Sequence, residues 1–261
     1  MASKLSLKFN KNNFTDFVTK LQDLTNIEDV IKLKIDKEQI LMYSMLGNES
    51  AVLALKSYLV DTKDYLENFE KEEVFDFIIT SATKFVKNLK LFNSDLPIKF
   101  DIIYKPLPDD DSTMHIRSSQ ISCGKLKISC VGGEEFKVRD IGKTQLESRL
   151  NPKNSKWEFQ VSQSDFADVR KLCGINNESV ILNINVIDGV VTMNENSKWD
   201  LEVDTIPSRN TNIIFGKKYL SNIPVNNKFI KFSVFETFIL VKDENSNLMI
   251  SFEQTFEESD N

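Results

Sequence analysis

Glycine and proline are scarce in this chain, 8 and 6 of 261 residues. That scarcity argues against a disordered polymer and against glycine-built phosphate loops. Gly132-Gly133 is too little for a phosphate cradle and reads as a flexible exit from a strand. No GxxxxGK[ST] stretch occurs, so the chain carries no nucleotide loop of that kind. Cysteine is limited to Cys123, Cys130 and Cys173 with no CxxC pair, which fits a reducing compartment. His115 is the sole histidine, so a zinc site lacks ligands at useful spacing; no metal or cofactor is expected. No apolar run reaches membrane-spanning length. The opening MASKLSLKFNKNNF lacks the basic flank and apolar core of a secretory signal. The expected setting is the cytoplasm.

What is present is a chain able to build real cores. Hydrophobic residues make up 41%, with 19 phenylalanines against 2 tryptophans. The length suits one large domain or two ordinary ones. The formal charge of -6 and the pI near 5.1 argue against a protein that coats nucleic acid indiscriminately. They leave room for a local basic surface.

The most informative stretch is Thr80 to Asn93, TSATKFVKNLKLFN. Ala82, Phe85, Val86, Leu89 and Phe92 recur at three- and four-residue steps, the spacing of an apolar helical stripe. Lys84, Lys87 and Lys90 fall on the other side with no acid among them. The preceding Ser or Thr suits an N-cap. Strand-like runs flank the helix, Val74–Ile79 before it and Ile98–Ile103 after it, followed by Thr113–Gln120 and Lys125–Val131. A similar order opens the chain. It has a strand at Leu5–Phe9, a helix at Phe14–Leu24 capped by Asn12 or Asn13, then Val30–Ile35, Gln39–Leu46 and Ala51–Leu59.

From Gly132 to Lys156 the pattern lapses, and a linker is expected at 133–156 between domains 1–132 and 157–261. A third unit runs from strand Trp157–Val161 through a helix capped by Ser162 or Ser164 and three further strands. Its Asp188-Gly189 pair marks a hairpin. A fourth runs from Asn212–Phe215 through a short helix at Lys217–Asn222 to Leu248–Phe252. The expected fold is α+β: four β-α-β-β-β units, two per domain, with helices on one face of antiparallel sheets.

The helices and their near flanks hold Lys11, Lys20, Lys84, Lys87, Lys90, Arg170, Lys171, Lys217 and Lys218, against Asp16, Asp23, Asp165 and Asp168. That is an excess of five positive charges, so the rest of the chain carries -11 of the total. Helices gathered on one surface would form a positive face on an acidic body, able to track phosphates without reading bases. Ordinary solvated helix faces also carry lysines, and charge alone does not separate the two.

Other constellations read as structural. Asp109-Asp110-Asp111 is a solvated turn rather than a metal cluster, because paired catalytic carboxylates come from separate elements. His115 with Cys123 or Cys130 gives no thiol catalysis, since Cys in alternating strands fills cores. Trp157 and Trp199 begin strands and read as packing rather than as base-stacking platforms.

The whole pattern resembles the sliding clamps that act as DNA polymerase processivity factors. It looks most like the clamps of T4-type phages, with the cellular proliferating cell nuclear antigen a more distant likeness. The likeness runs through Phe14-Thr15-Asp16-Phe17-Val18 to Ile40-Leu41-Met42-Tyr43-Ser44-Met45. It continues from Phe159-Gln160-Val161-Ser162 to Val190-Val191-Thr192-Met193, and from Lys231-Phe232-Ser233-Val234 to Ile250-Ser251-Phe252-Glu253. It covers nearly the whole chain.

The resemblance implies a non-enzymatic homotrimeric ring of six similar domains that encircles duplex DNA in replication. The nine basic residues named above would face the DNA. Partners would be a DNA polymerase and an ATP-dependent loader, with other replication, repair or transcription proteins besides. A peptide pocket would draw on Phe136, Ile141, Leu146, Ile223, Pro224, Phe252 and Phe256. The chain departs from the family in its long charged connection, Lys63 to Glu73, and in its short fourth helix. The alternative is a monomeric DNA-binding processivity factor or single-strand-binding accessory protein that uses one basic face without a ring.

Overall fold

The computed structural model of the chain describes residues 3–47, 52–92, 96–107, 110–130, 141, 143–175, 181–187, 190–193, 211–216, 219, 222–223, 228–243 and 245–256. The chain divides into two compact units, one of residues 1–49 and 56–140, the other of residues 50–55 and 141–261. The fold is α+β, with helices lying on β-sheets.

The first unit runs β1 (Ser3–Phe9), α1 (Lys11–Leu24), β2 (Val30–Ile35), β3 (Gln39–Gly47), β4 (Val52–Asp61, of which residues 52–55 count with the second unit) and α2 (Thr62–Tyr65). It continues with β5 (Phe75–Thr80), α3 (Ala82–Leu89), β6 (Ile98–Leu107), β7 (Asp110–Cys123) and β8 (Leu126–Cys130). Its strands lie in the order β1-β6-β7-β5-β2-β3-β4, with β8 on β7. The sheet is mixed rather than antiparallel throughout. Phe77 and Ile78 of β5 run parallel to Met114 and His115 of β7. The length of β7 makes room for this pairing: its last residues, 119–123, pair with β8, while its earlier part is left for β5 on the same edge.

One face of this sheet carries the core. Phe14, Phe17, Val18, Leu21 and Leu24 of α1 are buried against it, as are Ala82, Phe85, Val86 and Leu89 of α3. Burying each large side chain contributes about 1.5–3 kcal/mol, so these stripes hold both helices to the sheet. Phe9 links the layers, with its ring 5.1 Å from Phe14 and 5.0 Å from Phe17.

The other face holds buried charge. Lys32 is 0% exposed, with its Nζ 3.5 Å from Asp76 Oδ2, and Lys34 reaches the same oxygen at 3.4 Å. Register places Lys34 opposite Asp76 on the neighbouring strand. The alternation of β2 predicts these lysines to point away from the helix-covered face. That this second face is also shielded at Lys32 is not visible in the alternation.

The second unit holds α4 (Lys143–Arg149), a 3₁₀ turn at Pro152–Asn154, β9 (Trp157–Ser162), α5 (Gln163–Ile175), β10 (Ile181–Ile187) and β11 (Val190–Met193). It then holds β12 (Thr211–Gly216), β13 (Phe229–Val234), β14 (Phe238–Lys242), β15 (Ser246–Ser251) and β16 (Glu253–Phe256). One sheet is ordered β15-β14-β13-β9 and the other β11-β10-β12-β16. Phe232 is fully buried, stacked on Phe159 at 4.7 Å and met by Phe166 of α5 at 6.0 Å. The helix α4 lies inside the stretch read as linker. Among the described residues no helix is long and apolar enough to cross a membrane.

Candidate nucleic-acid interface

The first unit sets two helices side by side, and their outer faces are the candidate surface. On α3 the buried stripe leaves Thr83, Lys84, Lys87 and the capping Lys90 exposed. The helix contains no acid, and among the described residues Lys84 and Lys87 have no ion-pair partner. The Lys90 ammonium donates to Gln22 Oε1 on α1. Lys11 is exposed at the start of α1.

The N-terminus of α3 is held from a distance. Ser81 sits in the left-handed region at φ 53° and makes no side-chain cap. Asp29 supplies the cap instead: its carboxylate accepts from Thr83 N at 2.6 Å and its carbonyl from Ala82 N at 3.0 Å. A carboxylate at this end also meets the positive pole of the helix. The expectation of a local Ser or Thr cap is therefore corrected. On α1 the cap is Asn10, accepting from Asn12 N at 3.1 Å, not Asn12 or Asn13.

Lys20 is differently placed. Its Nζ lies 2.6 Å from Asp16 Oδ1, and 5.6 and 5.8 Å from the ring centroids of Tyr58 and Tyr65. The Tyr65 hydroxyl donates to Asp16, and the Tyr58 hydroxyl to Asp23. Lys56, which is buried, reaches Asp23 at 2.5 Å. Burial pulls the Lys56 ammonium below the usual lysine range, against the opposing pull of Asp23. Burial, then the bond to Asp16, pushes the Tyr65 hydroxyl above its ordinary value. This flank of α1 was missed by sequence reasoning, because the tyrosines come from β4 and α2.

In the second unit Ser162 caps α5, accepting from Asp165 N at 3.1 Å. On that helix Lys171 is exposed and paired with Asp168 at 3.1 Å. The side chain of Arg170, and Lys217 and Lys218, lie outside the described residues. Of the residues assigned to a peptide pocket, Leu146 and Ile223 are buried, while Ile141 and Phe252 are half-buried. Phe136 and Pro224 lie outside the described residues. Phe256 ends β16, with its side chain outside them.

Asp110 and Asp111 open β7; Asp109, Gly132, Gly133 and Trp199 lie outside the described residues. His115 and Cys123 are buried, and Trp157 is buried against Phe159 at 5.5 Å. Among the described residues no three His, Cys, Asp or Glu side chains are grouped to hold a metal ion.

No protein-family model matches the chain, and no curated protein matches it by sequence. Solved structures do match. The proliferating cellular nuclear antigen of Entamoeba histolytica superposes with a TM-score of 0.57 at 14% identity, over 96% of this chain and 98% of that one. The PCNA2–PCNA3 complex of Sulfolobus tokodaii gives 0.55 at 9%, over 95% and 99%. The Helicobacter pylori beta clamp, crystallised with a DNA ligase peptide, gives 0.59 at 11%, over 95% of this chain and 66% of its own. Across nearly its whole length, the chain has a fold distantly similar to that of the sliding clamps.

Proposed function

We propose that this protein is a non-enzymatic sliding clamp: a ring of three copies that encircles duplex DNA and tethers a replicative polymerase. The observation that carries the reading is the clamp-like fold over nearly the whole chain. The acid-free lysine row on α3 supplies the matching electrostatics, on a protein whose net charge is -6.

The physics suits diffuse contact. Each lysine is a mobile point charge without a rigid fork, so contacts to phosphate stay exchangeable and independent of sequence. Topology, rather than affinity, would retain the ring. A polymerase bound to it would work at a raised local concentration near the primer end. In this reading each domain is a pair of β-α-β-β-β units, and the lysines of all four unit helices face the DNA, those of α5 and of residues 217–218 included. An ATP-dependent loader opens the ring, partner peptides dock near Leu146, Ile223 and Phe252, and the setting is the cytoplasm, that of the host for a phage protein.

An open sheet edge supports association between copies. Among the described residues β8 pairs only with β7. Leu126 on β8, Leu96 beside the β7–β8 turn and Leu91 after α3 are 54, 52 and 63% exposed. An unpaired edge flanked by exposed leucines is a liability that a second copy removes.

Size-exclusion chromatography with light scattering tests the assembly. A mass near three times 30.0 kDa is expected. A stable monomer across the working concentration range would favour the accessory-protein reading instead.

A further inference from the structure

We propose that Lys20 is a positioning residue for α1 rather than a phosphate contact, and that the first unit meets DNA chiefly through the lysines of α3. This rests on the clamp reading and divides its basic surface into two parts. The flank of α1 that faces β4 and α2 carries Asp16, Lys20 and Asp23, and Lys56 meets it from β4. The four charges cancel. Asp16 and Asp23 are seven residues apart, which sets them on one side of the helix. Each carboxylate accepts one tyrosine hydroxyl and one lysine ammonium. Lys20 lies between them, near both tyrosine rings, and its side chain is only 15% exposed. To reach a phosphate it would give up the carboxylate and both rings.

One lane on the solvent side of α1 is uncharged in a regular way, and Asp16, exposed beside it, is matched by Lys20. Asn12, Thr15, Thr19 and Gln22 are all exposed, and their spacing of three, four and three residues makes a single lane. Gln22 ends that lane against Lys90. A row of uncharged amides and hydroxyls therefore runs beside a row of lysines. Phosphate attraction on this unit is concentrated on Lys84, Lys87 and Lys90, with Lys11 at the near end of α1. Beside them, α1 offers a weakly bonding surface over which a duplex can slide.

The salt dependence of binding separates the two roles, because each phosphate contact contributes about 0.9 to the slope of log affinity against log salt. The test titrates the full chain against a fluorescein-labelled duplex over a range of salt concentrations, following anisotropy. Replacing Lys84, Lys87 and Lys90 together by Ala is expected to reduce the slope by roughly 2–3. Lys20→Met is expected to leave the slope unchanged while lowering the thermal midpoint. A slope reduced by about 1 in Lys20→Met would overturn the division and leave the DNA reading standing. If Lys20→Met does not fold, Asp16→Asn serves: releasing Lys20 is expected to raise the slope by up to about 1, and an unchanged slope would overturn the proposal. No binding by the unaltered chain even at the lowest salt, where phosphate attraction is strongest, or no change in the triple variant, would overturn the DNA reading itself.

Discussion

The two units hold their charges in opposite ways. In the first, charge is buried in the sheet and bare on α3. Lys32 and Lys34 share Asp76 inside the fold, while α3 exposes lysines without an acid on the same helix. In the second, the sheet pair is half exposed and the helix pair is matched. Lys231 meets Glu158 at 2.6 Å with the lysine side chain 50% exposed, and Lys171 on α5 is offset by Asp168. A buried pair is costly to break, and an exposed lysine row is available to an anion. The first unit is therefore the one in which charge governs stability and, on the proposed reading, binding.

Breaking the sheet pairs sharpens the contrast most. Asp76→Ala leaves Lys32 buried without that carboxylate, and should cost about 3–5 kcal/mol in denaturant unfolding. Glu158→Ala removes a partly exposed pair and should cost no more than about 1 kcal/mol. Equal losses would dissolve the distinction between the units.

Reversing the helix charges comes next. Changing Lys84, Lys87 and Lys90 together to Glu should weaken duplex binding by roughly a hundredfold at moderate salt and leave the circular dichroism spectrum intact. Lys171→Glu, on a helix where the charge is already matched, should weaken it only a few-fold, about one contact's share. A larger effect from Lys171 would shift the binding surface toward the second unit.

The caps provide a smaller comparison. Asp29→Ala, which removes the cap of α3, and Ser162→Ala, which removes that of α5, should each cost about 1 kcal/mol, read from thermal unfolding. Ser81→Gly should gain a few tenths of a kcal/mol to about 1, because glycine adopts the positive φ without strain.

The smallest effect is set by pH. Burial pushes the Glu158 carboxyl up, but the Lys231 and Ser233 hydrogen bonds and the Lys231 charge hold it, on balance, below the usual glutamate value. Its folded pKa thus lies under its unfolded one. The stabilisation is whole above the unfolded value and is lost as pH falls through the folded value. Glu158→Gln should flatten that part of the acid unfolding curve, and an unchanged curve would remove Glu158 as a contributor.

How much of this was legible in the sequence varied with distance along the chain. The apolar stripe of α3 repeats within eleven residues, and the structure buries all five of its members, Ala82, Phe85, Val86, Leu89 and Phe92. The limits of β2 at Val30–Ile35 also hold, since Asp36-Lys37 breaks the run. The four residues of α2 are too few to show a helical period. The cap of α3 comes from Asp29, 54 residues before Thr83, beyond any local motif. The lysines of α1 look alike in sequence, yet Lys20 is set apart by Tyr58 and Tyr65, which reach it only once β4 and α2 have folded back. The parallel step between β5 and β7 is likewise a consequence of tertiary pairing.

Encirclement is a topological property, so the most direct measurement is retention on DNA of different topology. After loading, the protein should stay on closed circular duplex through a gel-filtration column and be lost once a single cut makes the same DNA linear. Equal retention on circular and linear DNA would contradict encirclement and mark the protein as an ordinary surface binder.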